Sequence, residues 1–155
     1  MLSDIERYDK ARDGWLLDTN ILSAAMGSRR IPRGVEQLLK KIPDERMYLS
    51  ALTLGEIMKG IATLDPSENE KRQILIGKLT SLESNWSDRI LNVDTEIAKQ
   101  WGYFQAYYQS RGKPVPVIDS LIAATACVHN LVVVSHDKAF ALMHEHIVYY
   151  DPLAP

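Results

Sequence analysis

The sequence predicts an α/β fold, a three-layer α/β/α sandwich around a central parallel sheet of about five strands. Short apolar, β-branched runs recur along the 155 residues. Segments with apolar residues at helical spacing lie between them, and strand–helix alternation implies a parallel sheet covered on both faces. The length supports one hydrophobic core and not two.

In chain order, Trp15–Leu17 is the first strand, a buried run that ends at Asp18-Thr19-Asn20. Met47–Leu49 and Ile90–Val93 follow. Leu131–Val134 is the strongest, with three consecutive valines of the kind a central parallel strand uses. Ile147–Tyr150 completes the set. Helices are predicted over 53–64, 68–84, 95–110 and 117–129. In the third, Ile97, Trp101, Phe104 and Tyr108 mark one helix face, and the aromatic stripe reads as core rather than as a base-stacking platform. The folded body spans 15–155. The polar extension 1–14 reads equally as an ordered addition, an upstream start or a floppy tail.

A hydrophobic fraction of 46% and a charged fraction of 25% are those of a soluble globular domain. No apolar run approaches the roughly 20 residues of a membrane span. The first residues lack a secretory apolar stretch, and the single cysteine, Cys127, has no internal partner, which together point to the cytoplasm. The net charge of −2 argues against nucleic-acid binding by bulk positive charge, though not through bound cations. Arg29, Arg30, Arg33, Lys40, Lys41, Lys59, Arg111 and Lys113 read as solvated surface.

Ligand sites in open parallel sheets gather outside the carboxyl ends of the strands. Asp18 follows the first strand, Glu56 lies just after the second, and Asp137 follows Leu131–Val134 through Ser135-His136. Asp119 opens the helix that returns the chain to that strand, so it starts at the same edge. Each acid has a structural alternative. Asp18 or Asn20 can cap the next helix, and Thr53-x-x-Glu56 has the form of a capping box. Asp119 suits a helix dipole, and Asp137 can cap a helix around Lys138–Met143. Together, four carboxylates at one edge repel one another and call for cations. Hard oxygen donors suit Mg²⁺ or Mn²⁺. His129, His136, His144 and His146 form no zinc-type pattern.

Leu-Leu-Asp18-Thr-Asn-Ile-Leu-Ser, Thr-Leu-Gly-Glu56-Ile-Met-Lys-Gly, Val-Ile-Asp119-Ser-Leu-Ile-Ala-Ala-Thr-Ala and Val-Val-Val-Ser-His-Asp137 resemble the four signature segments of PIN domains. The likeness covers about residues 15–153 and is nearest to the VapC-type toxins of VapBC systems, in the FitB-like branch. It implies a homodimeric Mg²⁺- or Mn²⁺-dependent endoribonuclease. It also implies a VapB-type antitoxin that blocks the active site and alone contacts operator DNA. By position, Asp18, Glu56, Asp119 and Asp137 are implied to be the metal-binding catalytic acids, and Asn20 and Ser135 to orient them or the RNA. Asp94, at the same edge, is not read as a ligand. Two departures stand out: the family starts almost at its first strand, and its Thr-Arg-Asn/Asp is here Ser135-His136-Asp137. The loss of the arginine bears on substrate preference more than on metal binding. The rival readings are a catalytically weak PIN-fold protein that binds RNA or antitoxin, and a receiver- or phosphatase-like domain. The latter pairs two acids after its first strand, where this chain has one.

Overall fold

The computed structural model describes residues 1, 3–27 and 30–154; Arg29, one of the basic residues noted above, lies outside them. Five parallel strands form one sheet in the order β3-β2-β1-β4-β5. They are β1 (Gly14–Leu17), β2 (Met47–Ser50), β3 (Ile90–Leu91), β4 (Leu131–Val134) and β5 (Val148–Tyr150). Among the described residues, seven α-helices accompany them: α1 (Asp4–Ala11), α2 (Thr19–Met26), α3 (Arg33–Lys41), α4 (Ala51–Ala62), α5 (Asn69–Asn85), α6 (Thr95–Ser110) and α7 (Val117–His129).

The alternation of side chains along β1 and β4 divides the core in two. Trp15, Leu17, Val132 and Val134 face one layer, where they meet Ile21 and Leu22 of α2, Val35 and Leu38 of α3, Ile61 of α4, and Leu79 and Leu82 of α5. Leu16 and Val133 face the other layer, with Ile97, Phe104 and Tyr108 of α6 and Ile122, Ala123 and Ala126 of α7. The aromatic stripe of α6 is therefore core, as its spacing predicts. The central strands β1 and β4 are buried on both faces, which is why they read as unbroken apolar runs.

Three helices were not expected from periodicity. α2 and α3 have only eight and nine residues, too few for a pattern to stand out. α1 fully buries a single residue, Ile5, and half-buries Tyr8 against the core. A capping box between Ser3 and Glu6 starts α1, and polar contacts dock it. Asp9 Oδ1 accepts from the Trp15 indole Nε1 and from Arg46 Nε, each at 2.9 Å, and Arg46 Nη2 also donates to the carbonyls of Asp9 and Arg12. The third strand is shorter than expected because the chain turns out of the sheet after Leu91. Asp94 then caps α6 by accepting from the Ile97 amide at 2.9 Å.

The C-terminal tail closes against α3. A Cβ built on Gly34 would stand 1.7 Å from the Pro152 carbonyl oxygen, so only glycine allows this approach. Gly34→Ala is expected to destabilise the protein by on the order of 1–2 kcal/mol as the tail is pushed aside. Urea denaturation measures this, and an unchanged midpoint would show that the tail packs elsewhere.

Candidate active site

The acids stand at the carboxyl edge of the sheet because of how each strand hands over to the next helix. Asp18 is the first residue after β1 and occupies the N-cap position of α2, yet its side chain makes no capping bond. Its amide donates to the Val134 carbonyl, extending the sheet by one step, and its side chain is 5% exposed. The capping alternative for Asp18 therefore fails. Asp18 Oδ2 instead accepts from Ser135 Oγ at 2.7 Å, and Ser135 is fully buried.

Glu56 lies in the second turn of α4. The capping-box alternative fails here too, because α4 starts earlier: Ser50 is its cap and accepts from the Leu52 amide at 3.1 Å. Thr53 is buried, and its Oγ1 has no hydrogen-bond partner among the described residues. Glu56 is exposed and accepts from Thr19 Oγ1 at 2.7 Å, which ties α4 to the start of α2. Asp137 does cap its turn, with Oδ1 accepting from the Ala139 amide at 2.9 Å. That bond occupies one of its two carboxylate oxygens.

Asp119 sits in the first turn of α7, half-buried, between the exposed Val117 and Ile118 and the fully buried Ser120. Ser120 anchors that turn. Its Oγ donates to the Pro116 carbonyl at 2.6 Å and accepts from Gln105 Nε2 at 2.7 Å and from Trp101 Nε1 at 3.1 Å. Trp101 and Gln105 thus hold Asp119 in place from α6, a role invisible in a stripe that reads as core.

Electrostatics shows that the four acids share one field. Burial pushes the Asp119 carboxyl up to about 6, and the charges of Asp137, Asp18 and Glu56 push it the same way. Burial also raises Asp18; the Ser135 and Thr19 hydrogen bonds pull it back, while Glu56 and Asp137 raise it further. Asn20 and Ser135 belong to the same network: Asn20 Nδ2 donates to Ser135 Oγ at 3.2 Å, and the Asp137 amide donates to that oxygen at 2.9 Å. Among the described residues, no three His, Cys, Asp or Glu side chains close into a finished cation cage. Unneutralised carboxylates repel, which favours spacing over closure. The donor set itself fits a hard divalent cation, since all four groups are carboxylates whose mutual repulsion a cation would relieve.

The basic residues named from the sequence, Arg29 aside, are all exposed. No helix among the described residues is long and apolar enough to cross a membrane. A groove of about 640 Å³ between α2 and α5 is lined by Met26, Ile74, Lys78 and Trp86, and a second of about 550 Å³ beside it reaches Ile57 and Leu75. Neither includes the acids.

Residues 15–145 match the PIN-domain family model. The chain is 33% identical over 123 residues to the toxin FitB of Neisseria gonorrhoeae, covering 79% of this chain and 86% of FitB. It is 27% identical over 128 residues to ribonuclease VapC5 of Mycobacterium tuberculosis, covering 83% and 86%. The crystal structure of FitAcB from Neisseria gonorrhoeae superposes with a TM-score of 0.79 at 29% identity, covering 90% of this chain and 99% of that one. The parallel sheet order, the flanking helices and the family match agree. This chain belongs to the PIN-domain family, on the side of its FitB- and VapC-type toxins.

Proposed function

We propose that this protein is an Mg²⁺- or Mn²⁺-dependent endoribonuclease, the toxin of a toxin–antitoxin pair restrained by a VapB-type antitoxin. The observation that carries the reading is electrostatic: burial, and then the charges of neighbouring acids from separate places in the chain, raise the Asp119 and Asp18 carboxyls at a single sheet edge. A fold that only bound a partner would have no use for that cost. The names of the relatives, a toxin and a ribonuclease, support the same reading.

Asp18 and Asp119 would hold the cation, with Glu56 and Asp137 flanking them. Bound there, a divalent cation supplies charge neutralisation at the phosphodiester and a water-derived nucleophile at neutral pH. The chain's own groups do the positioning. Ser135 keeps the Asp18 carboxylate in one orientation through its 2.7 Å bond. Asn20 fixes Ser135 in turn, and Thr19 steers Glu56 towards the same edge. The apolar groove between α2 and α5, with Ile74 61% exposed, suits a helical segment of the antitoxin, which would carry any contact with operator DNA. Exposed Val117 and Ile118 beside Asp119 offer an apolar surface to a second copy of the chain, in keeping with a homodimer.

Attack by water leaves a 5′-phosphate and a 3′-hydroxyl. The purified protein is expected to cut single-stranded RNA in Mg²⁺ or Mn²⁺, to stop in EDTA, and to produce those ends when the fragments are mapped. Fragments ending in 2′,3′-cyclic phosphate, or cleavage that persists in EDTA, would refute the route. Binding of RNA or antitoxin without any cleavage would favour the non-catalytic alternative.

A further inference from the structure

The hydrogen bonds that orient Asp18 continue past the acids. Asn20, which donates to Ser135 Oγ, accepts through Oδ1 from the backbone amide of His136 at 3.2 Å. The His136 ring places Nδ1 3.0 and 3.2 Å from the two carboxylate oxygens of Asp151. Asp151 is itself held, because Oδ1 also accepts from the Leu153 amide at 2.9 Å, and its side chain is only 14% exposed. A chain of contacts therefore runs Asp18–Ser135–Asn20–His136–Asp151, from a buried acid to an imidazole that is 55% exposed.

An ionised carboxylate only accepts, so Nδ1 of His136 carries a hydrogen and donates to Asp151. Nε2 is then the other polar atom of a ring whose backbone and Nδ1 are both tied down. A histidine serving only as solvated surface does not need both restraints. A carboxylate at Nδ1 presents Nε2 in one tautomer and one orientation, the arrangement that ligating and catalytic histidines use.

We propose that His136 contacts the RNA strand through Nε2, at the ribose of a nucleotide flanking the scissile bond, and that Asp151 is the positioning residue that locks the ring. The proposal rests on the ribonuclease reading above and adds a sugar contact to it. Asp151 sets a carboxylate against the ring, and the next residue in the chain, Asp137, is another acid, so the negative charge here disfavours a further phosphate. A 2′-hydroxyl is neutral and both donates and accepts, so it pairs with Nε2 whether or not that nitrogen carries a hydrogen. One ring nitrogen also reads a single hydroxyl better than the two-point pattern of a base edge.

The probe is a short single-stranded RNA with a mapped cleavage site, together with versions carrying one 2′-deoxy substitution walked through the flanking positions. For the wild-type protein in Mg²⁺, one deoxy position is expected to raise KM about tenfold while kcat stays within about twofold, the worth of one hydrogen bond. His136→Ala is expected to raise KM about tenfold on the all-ribose strand and to be indifferent to that deoxy position. Asp151→Asn should give a smaller rise of the same kind, and His136→Gln, which keeps a donor and an acceptor, should recover part of the loss. Thermal melting of each variant confirms folding, and Asp151→Asn carries the test if His136→Ala does not fold. Wild-type KM in His136→Ala, or undiminished sensitivity of that variant to the same deoxy position, overturns the proposal and leaves the ribonuclease reading standing. Failure of the wild-type protein to cut any RNA in Mg²⁺ or Mn²⁺ overturns both.

Discussion

Asp119→Asn is expected to cut RNA at least about a thousandfold more slowly than the wild-type protein while keeping its fold. Asparagine has almost the shape of aspartate but no charge, and the turn that carries it is fixed by Ser120, Trp101 and Gln105 and not by Asp119 itself. Losing a charged cation donor removes several kcal/mol of transition-state stabilisation, and about 4 kcal/mol corresponds to a thousandfold. Asp18→Asn should lose as much. Its new side-chain oxygen can still accept from Ser135, so the neighbouring network should survive. Single-turnover cleavage of a labelled RNA at saturating Mg²⁺ measures the loss, and circular dichroism measures the fold. Turnover within tenfold of wild type in either variant would remove that acid from the site.

The second expected result is a stability that depends on pH and cation together. Asp119 is raised from 3.8 to about 6, and Asp18 is raised in the same direction. The folded state therefore binds more protons than the unfolded state between these values. Stability of the metal-free protein must then fall as pH rises from about 4 through about 6, and stay low above that. The Asp119 shift corresponds to at most about 3 kcal/mol, and solvation of a half-buried group reduces this to about 2 kcal/mol. Mg²⁺ or Mn²⁺ is expected to act on the same charges with the opposite sign. At a hundred times its dissociation constant, one bound ion adds about 2.7 kcal/mol. Melting temperatures in EDTA should thus be higher at pH 5 than at pH 7.5, and the cation should raise the pH 7.5 value more than the pH 5 value. A cation effect that is equal at both pH values would separate the ion from the acid cluster. Asp119→Asn should flatten the EDTA profile.

Much of this arrangement is legible in the sequence, for reasons that differ from part to part. β4 reads as a central strand because three β-branched valines in a row suit a sheet buried on both faces. The edge position of Asp18, Glu56, Asp119 and Asp137 follows from chain direction alone, since parallel strands with helical returns leave few other places for them. The contacts that tune those acids are not legible. Ser135 faces Asp18 across 117 positions of sequence, and Ser120 meets Trp101 through a helix pair whose spacing advertises only packing. Local capping logic misled where tertiary position decided: Thr53-x-x-Glu56 looks like a helix start, but Ser50 had already begun the helix one turn earlier. α1 stayed hidden because it offers only Ile5 and Tyr8 to the core, and the rest of its attachment depends on Arg46, which no periodicity of α1 itself could reveal.

That attachment gives the molecule a built-in optical reporter. The Trp15 indole is completely enclosed, and its only polar atom is satisfied by Asp9 of the leading helix. Any event that peels the helix away hydrates this chromophore and leaves its N–H to water. Emission from Trp15, isolated by replacing Trp86 and Trp101 with phenylalanine, would register that departure in a signal independent of catalysis.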